Sequence, residues 1–498
     1  MKRKTILRLL GGAVFFALLL LSIAVASRMM QRKESISRVG PFLSRADEFD
    51  VLFIGDSHMV NDVFPLELWR DYGIASYNIS SYGNTLPVSY WAMMNALDYA
   101  SPKLMVIGVK DVDKSYKLSG SSSDVHTALD GYPLSLTKIR AIEDLMDDPY
   151  ALDDNGDSYV DLKWEYYFTL AKYHSRWEKA GLSELFYTPN VHKGAAFAIG
   201  VSEPREYDII DERQANEEYG VGYVYLRRMI EECESRGIDV LLVHFPYPAS
   251  ESDQMAANSV WGIAQEYGVS YIDFVNLDQV VDYRTDMYDP FSHLNPSGAR
   301  KVTDYLGRYI SGHYAIEDRR ADGRYAAWAE DYDRYAQFKL DTIRQQGDLG
   351  TALMLMHDES YSVMISVKAG SSVYADATLL RLMQNTGREH IYEEDAYAKW
   401  SDALYPLAWL DRAAAKGAAY FVLVDRVTAS IEERAGQGTA TIETSFGEIV
   451  YSSGPEGASL SLGGEELLPM DEDEPDVRIV LVNNATGEIA AVLGYSLP

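Results

Sequence analysis

The amino-acid sequence predicts an α/β protein that has a mostly parallel sheet flanked by helices, a second β-rich domain and one N-terminal transmembrane helix. Short apolar runs alternate with amphipathic stretches before residue 313, as strands and helices do around a parallel sheet. After residue 350 the pattern changes to β-type runs separated by glycine-rich turns, and a long apolar run occupies the N-terminal end. A chain of 498 residues is too long for one ordinary compact domain, so we expect two.

Residues 1–30 predict a membrane anchor. The basic tip Met1–Lys4 precedes the apolar run Leu9–Ser27, which has transmembrane length, and Arg28 follows it. A cleaved signal peptide is the alternative, because Ala24-Val-Ala26 looks like a peptidase site. The run is longer than a usual signal core, so we expect a retained single-pass anchor in the cell membrane, with the catalytic domain extracytoplasmic. The expected segments are a cytoplasmic tip (1–8), the anchor (9–30) and a stalk (31–47).

Composition and charge exclude some functions. The net charge of −30 and the pI of about 4.6 argue against nucleic acid as a partner, because phosphate binding needs clustered cations. Cys233 is the only cysteine, which excludes an intrachain disulfide and metal sites built on paired thiolates. The acidic run Asp153–Asp157 suggests a calcium loop, but Ser158 stands where an EF-hand needs glycine, so we predict a polar turn. We expect no metal and no cofactor.

The first domain is expected at residues 48–346 and contains the strands of the parallel sheet. The expected strands are Phe49–Ile54, Ile74–Ile79, Leu104–Val109, Val240–Phe245 and Ser270–Phe274, and amphipathic helical stretches include Gly222–Glu234 and Ser259–Glu266. A Tyr-rich and Asp-rich insertion interrupts the pattern at about residues 113–218, and a helical extension follows at 313–346. Ligands of such sheets bind beyond the carboxyl ends of the strands, which is where Ser57 is expected.

The second domain is expected at residues 350–498. Its expected strands are Tyr361–Val367, Tyr420–Leu423, Thr439–Ser445, Ser459–Leu462 and Val477–Val482. The runs Val363–Lys368, Tyr420–Asp425 and Val477–Ile489, with Gly494-Tyr495, resemble the interleukin-like/PANDER-type domain that is often fused to bacterial surface proteins. This resemblance implies a compact β-rich α+β module that binds or scaffolds, and no catalytic constellation is visible in its sequence.

Ser57 is the candidate nucleophile. It ends the run Val51-Leu-Phe-Ile-Gly-Asp-Ser-His58, at the tip of a buried strand where a helix is expected to begin, so backbone geometry fixes its position. A serine hydroxyl attacks an acyl group only when a base removes its proton, and a carboxylate must orient that base. The candidates for these two roles are His293 and Asp289, in the downstream block Asp289-Pro-Phe-Ser-His-Leu-Asn-Pro-Ser-Gly298.

These two blocks resemble the first and last motif blocks of the SGNH/GDSL hydrolase superfamily, over about residues 48–312. The resemblance implies a flavodoxin-like three-layer αβα parallel sheet and acyl-ester chemistry. In the family the aspartate stands three residues before the histidine, whereas Asp289 stands four before His293, and Pro290 takes the usual place. The orienting group is therefore open: Asp289 if the loop carries one extra residue, or else Asp286 or a backbone carbonyl.

Donors for the oxyanion of the tetrahedral intermediate are expected at three places. The first is the backbone N–H of Ser57. The second is the backbone N–H of Gly83, in the block Asn78–Asn84, which resembles the second motif of the family. The third motif, normally Gly-x-Asn-Asp, is Gly108-Val-Lys-Asp111 here, so either Lys110 or Asn84 takes the place of the missing amide. His58 is a poor rival base, because neighbouring helical side chains diverge by about 100°.

The insertion contains two further candidates, His174 and Arg176, on a predicted helix that either contacts substrate or only packs. We expect an extracytoplasmic esterase or O-acyltransferase of the membrane-anchored, Gram-positive envelope type. Its substrate would be a cell-envelope glycan carrying acyl (acetyl) groups, or an acyl donor. The alternative is a decayed, non-catalytic surface protein that binds glycan or scaffolds an assembly. The sequence does not indicate the oligomeric state.

Overall fold

The computed structural model of the protein describes most of the chain. The described residues are 3–31, 33–118, 122–147, 152, 156–178, 181, 190–277, 280–386, 407–471 and 473–497. Residues 153–155 of the acidic run considered as a calcium loop lie outside these ranges.

The N-terminal end forms two helices, α1 (Arg3–Met30) and α2 (Lys33–Ser44). In α1 the segment Arg8–Met30 is long and apolar enough to cross a membrane, and none of its most apolar stretch is buried against the rest of the protein. Helix α2 occupies most of the predicted stalk. It is not a free linker, because Phe42 is fully buried and its ring lies 5.4 Å from that of Tyr77.

Five parallel strands form the first sheet, which confirms the parallel sheet predicted from the sequence. They are β1 (Val51–Ile54), β2 (Ser76–Asn78), β3 (Leu104–Gly108), β4 (Asp239–His244) and β5 (Ser270–Asp273). Their order is β2-β1-β3-β4-β5, and every neighbouring pair is parallel. This is the order of flavodoxin-like folds, in which ligands bind where the order reverses, next to the first strand. The carboxyl end of β1 is therefore the expected position of a site.

Helices cover both faces of this sheet. The described helices of this half that follow β1, including α6 to α9 of the insertion, are in chain order α3 (Ser57–Asp62), α4 (Pro65–Tyr72), α5 (Leu86–Leu97), α6 (Ser122–Leu129), α7 (Leu136–Leu145), α8 (Tyr159–Tyr167), α9 (Thr169–Tyr173), α10 (Val221–Ser235), α11 (Glu251–Tyr267), α12 (Tyr283–Asp286) and α13 (Pro296–His313). Successive strand residues point to opposite faces. Leu52 and Ile54 pack with α5, α10 and α11, whereas Val51 and Phe53 pack with α3 and α13.

The insertion has structure of its own. Helices α6 to α8 enclose a small core that includes Leu129, Ile142 and Tyr166, and Val88 of α5 belongs to the same core. Further along, the backbone of Ala196 donates a hydrogen bond to Val60 in α3 at 2.9 Å. The insertion is thus packed against the elements that surround the end of β1.

The C-terminal half is β-rich, as the sequence predicts, and its neighbouring strands are antiparallel. Helices α14 (Ala326–Arg344) and α15 (Leu349–Leu355) lead into it, and α16 (Ala377–Thr386) and α17 (Ala408–Lys416) lie within it. Its strands are β6 (Tyr361–Val367), β7 (Tyr420–Asp425), β8 (Ser430–Ala435), β9 (Gly438–Thr444), β10 (Gly447–Gly454), β11 (Gly457–Leu462), β12 (Glu465–Leu468), β13 (Val477–Asn483) and β14 (Ile489–Tyr495). The sheets β14-β13-β6-β7-β8 and β12-β11-β10-β9 pack face to face, with Phe421 stacked on Tyr451 at 4.3 Å. The exact domain boundaries stay predictions.

A buried ionic cluster joins the two halves. The Lys339 ammonium of α14 lies 2.8 Å from Glu67 of α4 and 2.9 Å from Asp358, and Arg300 of α13 lies 3.2 Å from Asp358. Breaking a buried ion pair by removing one partner typically costs roughly 3 to 5 kcal/mol, because the other charge stays buried. The cluster therefore fixes α13, the helix that follows His293, against the β-rich half.

Candidate active site

Ser57 lies at a tight turn between β1 and α3. The Asp56 carboxylate accepts the backbone N–H of His58 at 3.2 Å and so caps the helix that Ser57 begins. Gly55 lets β1 and β3 approach each other, since a Cβ there would lie 3.3 Å from the Cα of Gly108. The strand, the cap and this close approach together set the position of the Ser57 backbone.

The structure brings Ser57, His293 and Asp289 together. The Ser57 Oγ lies 2.8 Å from His293 Nε2, and His293 Nδ1 lies 2.5 Å from Asp289 Oδ2. The imidazole and the carboxylate are each about one quarter exposed, 25% and 26% respectively, so solvent and small substrates reach them. This is the order of groups that serine acyl transfer requires: hydroxyl, base and orienting carboxylate.

Asp289 reaches His293 although it stands four residues before it, because the backbone of the histidine loop (residues 289–293) folds around the Asp289 carboxylate. Its Oδ1 accepts the N–H groups of Phe291 and Ser292 at 2.9 and 2.8 Å, and its Oδ2 accepts the N–H of His293 at 3.3 Å. Burial alone would raise the pKa of Asp289, but these donors and the His293 ring outweigh it and lower that pKa. The carboxylate is therefore ionised at neutral pH.

The alternative orienting group, Asp286, serves another purpose. It is fully buried, lies 2.5 Å from the Lys301 ammonium and accepts the Ser297 hydroxyl at 2.9 Å. Asn295 caps α13 by accepting the N–H groups of Ser297 and Gly298. These contacts anchor the chain immediately after His293. Asp289, and not Asp286, is therefore the carboxylate that contacts the imidazole.

The residues expected to bind the oxyanion lie around the end of β1. Gly83 has a φ of +65°, and a Cβ there would lie 2.3 Å from an Asp124 carboxylate oxygen, so the position requires glycine. The Asn84 amide donates to the Gly55 carbonyl at 3.3 Å. The Lys110 ammonium points towards the hydroxyl of Ser292.

A second Ser–His–Asp array, which the sequence interpretation missed, lies beside the first. His58 Nδ1 is 3.0 Å from Asp56 Oδ2, and His58 Nε2 is 3.3 Å from the Oγ of Ser292. The Lys110 ammonium donates to the same Ser292 Oγ at 3.3 Å and lies 3.9 Å from Asp56. The two imidazole rings, of His58 and His293, are 5.4 Å apart.

One signal for this array is present in the sequence. The chain contains only two Ser-His dipeptides, Ser57-His58 and Ser292-His293. In the structure each serine contacts the histidine of the other dipeptide. The sequence interpretation considered His58 only as a poor rival base for the adjacent Ser57 and did not single out Ser292.

Burial sets the protonation of the second array. Burial, reinforced by the Lys110 charge, lowers the pKa of His58 to about 4. Burial would raise the pKa of Asp56, but the attraction and hydrogen bond of His58 and the charge of Lys110 lower it well below its usual range. At neutral pH the ring is therefore neutral and the carboxylate ionised, so Nδ1–H donates to Asp56 and Nε2 accepts from Ser292.

His174 and Arg176 lie next to the N-terminal helix. The His174 ring contacts the carbonyl of Ala171 at 2.7 Å, and Arg176 donates to the carbonyl of Met30, at the end of α1, at 2.6 Å. Nearby, the hydroxyls of Ser27 and Thr169 are 2.7 Å apart. These contacts fix the insertion to α1 and do not bring His174 and Arg176 to the triad.

A groove of about 1450 Å³ opens beside the histidine loop. Arg205 lines it, and its backbone N–H donates to the carbonyl of Pro290 at 2.9 Å. Two tyrosine rings in the lining, Tyr207 and Tyr283, are 5.3 Å apart, and Arg381 contributes from the β-rich half. Both halves of the protein thus border this groove.

Comparison with known proteins gives structural likeness only. No protein-family model matches the chain, and no curated protein matches it significantly. Among solved structures, it is similar to a psychrotrophic esterase from Pseudoalteromonas sp. (TM-score 0.26, 12% identity, 53% of this chain and 96% of that one). It is also similar to a candidate acylhydrolase from Bacteroides fragilis (TM-score 0.28, 11% identity, 57% of this chain and 98% of that one). At these TM-scores neither likeness carries an argument about function, which rests on the site.

Proposed function

We propose that the protein is a serine acyl esterase or O-acyltransferase of the SGNH/GDSL type. Ser57 attacks the acyl carbonyl, His293 Nε2 takes the hydroxyl proton and returns it to the leaving alcohol, and Asp289 orients the imidazole and stabilises its charge. The observation that carries the proposal is the continuous chain Ser57 Oγ, His293 Nε2, His293 Nδ1 and Asp289 Oδ2, with separations of 2.8 and 2.5 Å.

The oxyanion would be held by the backbone N–H groups of Ser57 and Gly83. One such donor is typically worth about 10² to 10³ in rate. Asn84 and Lys110, the other candidates, have hydrogen bonds to Gly55 and Ser292, so we give them supporting roles. Water as the acceptor gives an esterase, and a sugar hydroxyl gives an O-acyltransferase.

We further propose that the substrate is a cell-envelope polysaccharide carrying acyl, chiefly acetyl, groups. Helix α1 supports a membrane location, and Lys2 to Lys4 at its N-terminal end support a cytoplasmic tip with the site outside. The groove beside the histidine loop is large enough for several sugar units, and its tyrosines and arginines suit polar rings. The β-rich half, proposed as the interleukin-like/PANDER-type module, would help to hold such a polymer.

A catalytically decayed scaffold is the less favoured candidate. The shifted aspartate that suggested it in the sequence forms a 2.5 Å contact with His293. The only remaining argument for it is Lys110 in place of the third donor of the family.

The experiment is turnover of an aryl acetate by the detergent-solubilised full chain, beside Ser57→Ala and His293→Ala. We expect hydrolysis by the wild type only, and labelling of Ser57 by a fluorophosphonate. Wild-type turnover no faster than either variant, together with no labelled serine, would refute the enzyme proposal. Acetyl transfer to an added oligosaccharide, measured in the same reactions, separates a transferase from an esterase.

A further inference from the structure

Ser292 has the surroundings of an activated nucleophile in its own right. Its hydroxyl faces a buried imidazole, His58, at 3.3 Å, and the far nitrogen of that ring faces the Asp56 carboxylate at 3.0 Å. The Lys110 ammonium donates to the same hydroxyl oxygen at 3.3 Å, where it would stabilise a developing alkoxide. A base and a positive charge therefore contact the Ser292 hydroxyl oxygen, and a carboxylate orients the base.

Not every Ser–His contact in this protein has such an arrangement. Ser297 also contacts a histidine, with 3.0 Å between its Oγ and His357 Nδ1. There the far nitrogen of the ring bonds to the backbone carbonyl of Leu382, and the serine hydroxyl donates to Asp286. Ser297 is also 1% exposed. Its hydroxyl proton is therefore directed to a carboxylate and away from the imidazole.

The exposures within the second array fit a nucleophile that faces the substrate. The His58 side chain is only 1% exposed, whereas Ser292 and Lys110 are partly exposed. Ser292 and Lys110 can therefore meet an incoming molecule. The Ser292 hydroxyl lies near the first triad, because its partner ring, His58, is 5.4 Å from the His293 ring.

We propose that Ser292 is a second acyl-accepting serine, so that this site forms acyl-enzyme at two positions. The Ser292 Oγ forms a bond to the acyl carbon, the bond from that carbon to the ester oxygen breaks, and His58 Nε2 passes the hydroxyl proton to the leaving alcohol. Asp56 orients His58, and Lys110 stabilises the oxygen of Ser292. The inference rests on the proposed acyl-transfer function, since it needs the same class of ester.

The test is phosphonylation of the detergent-solubilised full chain by a fluorophosphonate, followed by peptide mapping with mass spectrometry. In this reaction the serine oxygen bonds to phosphorus and fluoride leaves, so only a nucleophile and its base are needed. We expect label on both Ser57 and Ser292 in the wild type, and on Ser292 alone in Ser57→Ala. In the Ser57→Ala background, His58→Gln should lower the rate at Ser292 about 100-fold and Lys110→Met about 10-fold. Ser297 is the internal control and should stay unlabelled.

Each outcome decides between the two proposals. Label on Ser57 in the wild type with none on Ser292 in either protein overturns the inference and leaves the proposed function standing. Label on neither serine overturns the inference, and together with wild-type turnover no faster than that of Ser57→Ala or His293→Ala it also overturns the proposed function. Label on Ser292 that is unchanged by both His58→Gln and Lys110→Met also overturns the inference, because the array is then not what activates the hydroxyl. If the buried His58→Gln variant does not fold by circular dichroism, the partly exposed Lys110→Met variant decides alone.

Discussion

The two Ser–His–Asp arrays differ in how their carboxylates are held. In the first array, Asp289 is about one quarter exposed and accepts backbone N–H groups of its own loop. In the second, Asp56 is 12% exposed, caps a helix and has His58 and Lys110 as its charged or polar partners. Backbone donors fix a carboxylate without adding a titrating group, whereas the second array depends on side-chain charges.

The hydroxyl contacts differ in the same direction. The Ser57 Oγ lies 2.8 Å from its imidazole and the Ser292 Oγ lies 3.3 Å from its own. The shorter contact is close to the usual length of a hydrogen bond to oxygen or nitrogen, and the longer one is weaker. We therefore expect Ser57 to be the faster nucleophile and Ser292 to need Lys110 in order to compete.

The largest expected effect is that of removing Ser57. Ser57→Ala deletes the better aligned hydroxyl, so kcat/KM for an aryl acetate should fall roughly 10⁵-fold. Steady-state kinetics measure it, with Ser202→Ala as the matched control, because the Ser202 hydroxyl bonds to the carbonyl of Tyr288 and contacts no histidine. Equal losses in the two variants would contradict the assignment of Ser57.

The next effect separates the two carboxylates. Asp289→Asn keeps the shape of the side chain but cannot hold the required His293 tautomer, so hydrolysis should fall about 10⁴-fold. Asp56→Asn should reduce label on Ser292 by about 10-fold or more. Kinetics and peptide mapping of the two variants measure these effects. Asp289→Asn with activity within a few-fold of the wild type would show that another group orients His293.

Gly83 tests the oxyanion site of the first array. Gly83→Ala places a Cβ 2.3 Å from an Asp124 oxygen, at a φ of +65° that alanine disfavours, so we expect the backbone N–H to shift. Loss of one donor should lower kcat about 10²-fold with little change in KM. A parallel Gly237→Ala variant, also at positive φ but with open space around it, controls for backbone strain. A change in KM alone would contradict the role.

The pH dependence of labelling sharpens the difference between the imidazoles. The pKa of His58 is about 4, so His58 stays unprotonated and able to act as a base well below pH 6. In Ser57→Ala the labelling rate at Ser292 should therefore change less than about 2-fold from pH 7 to pH 5, whereas a histidine with an ordinary pKa of about 6.5 would cause a loss of roughly 30-fold. The titratable and charged groups that face His58 are Asp56, Lys110, His293 and Tyr247. A 30-fold loss would refute the buried, neutral imidazole.

The smallest effect is on stability. Because the folded pKa of His58 is about 4 and the unfolded value about 6.5, the unfolded state takes up a proton between these values, so folding stability falls as pH drops from 6.5 towards 4. His58→Gln removes this contribution. From pH 7 to pH 5 the free energy of unfolding of the wild type should therefore fall by roughly 2 kcal/mol more than that of the variant. Apparent melting temperatures at the two pH values measure it. Parallel pH dependences in the two proteins would contradict the shift.

Much of the fold follows from local sequence. The sequence predicts the strands of the parallel sheet to within two residues of their observed ends, because most of them lie in apolar runs that are buried on both faces. Strand β8 (Ser430–Ala435) was missed, because its side chains are polar and half-exposed and no apolar run marks it. The sequence predicts a stalk where helix α2 lies, since only tertiary packing, for example on the distant Tyr77, shows that Phe42 belongs to a core.

The candidate site was predictable only in part. Ser57 and His293 follow from motifs, but the place of Asp289 depends on how five residues of loop backbone fold around a carboxylate. The second array escaped detection because Ser292 and His58 are 234 residues apart and meet only through the tertiary structure. Lys110, which looked like a departure from the family pattern, has a partner that no local pattern indicates.

The central claim is that Ser57 carries the acyl group during turnover, with His293 as its base. A rapid-quench experiment with an aryl acetate tests it most directly: the released phenol is followed in time, and the quenched protein is mapped by mass spectrometry. We predict a burst of phenol that is stoichiometric with the enzyme, acetyl on the peptide that contains Ser57, and loss of both in His293→Ala. Turnover without a burst and without acetyl on Ser57 would contradict the account.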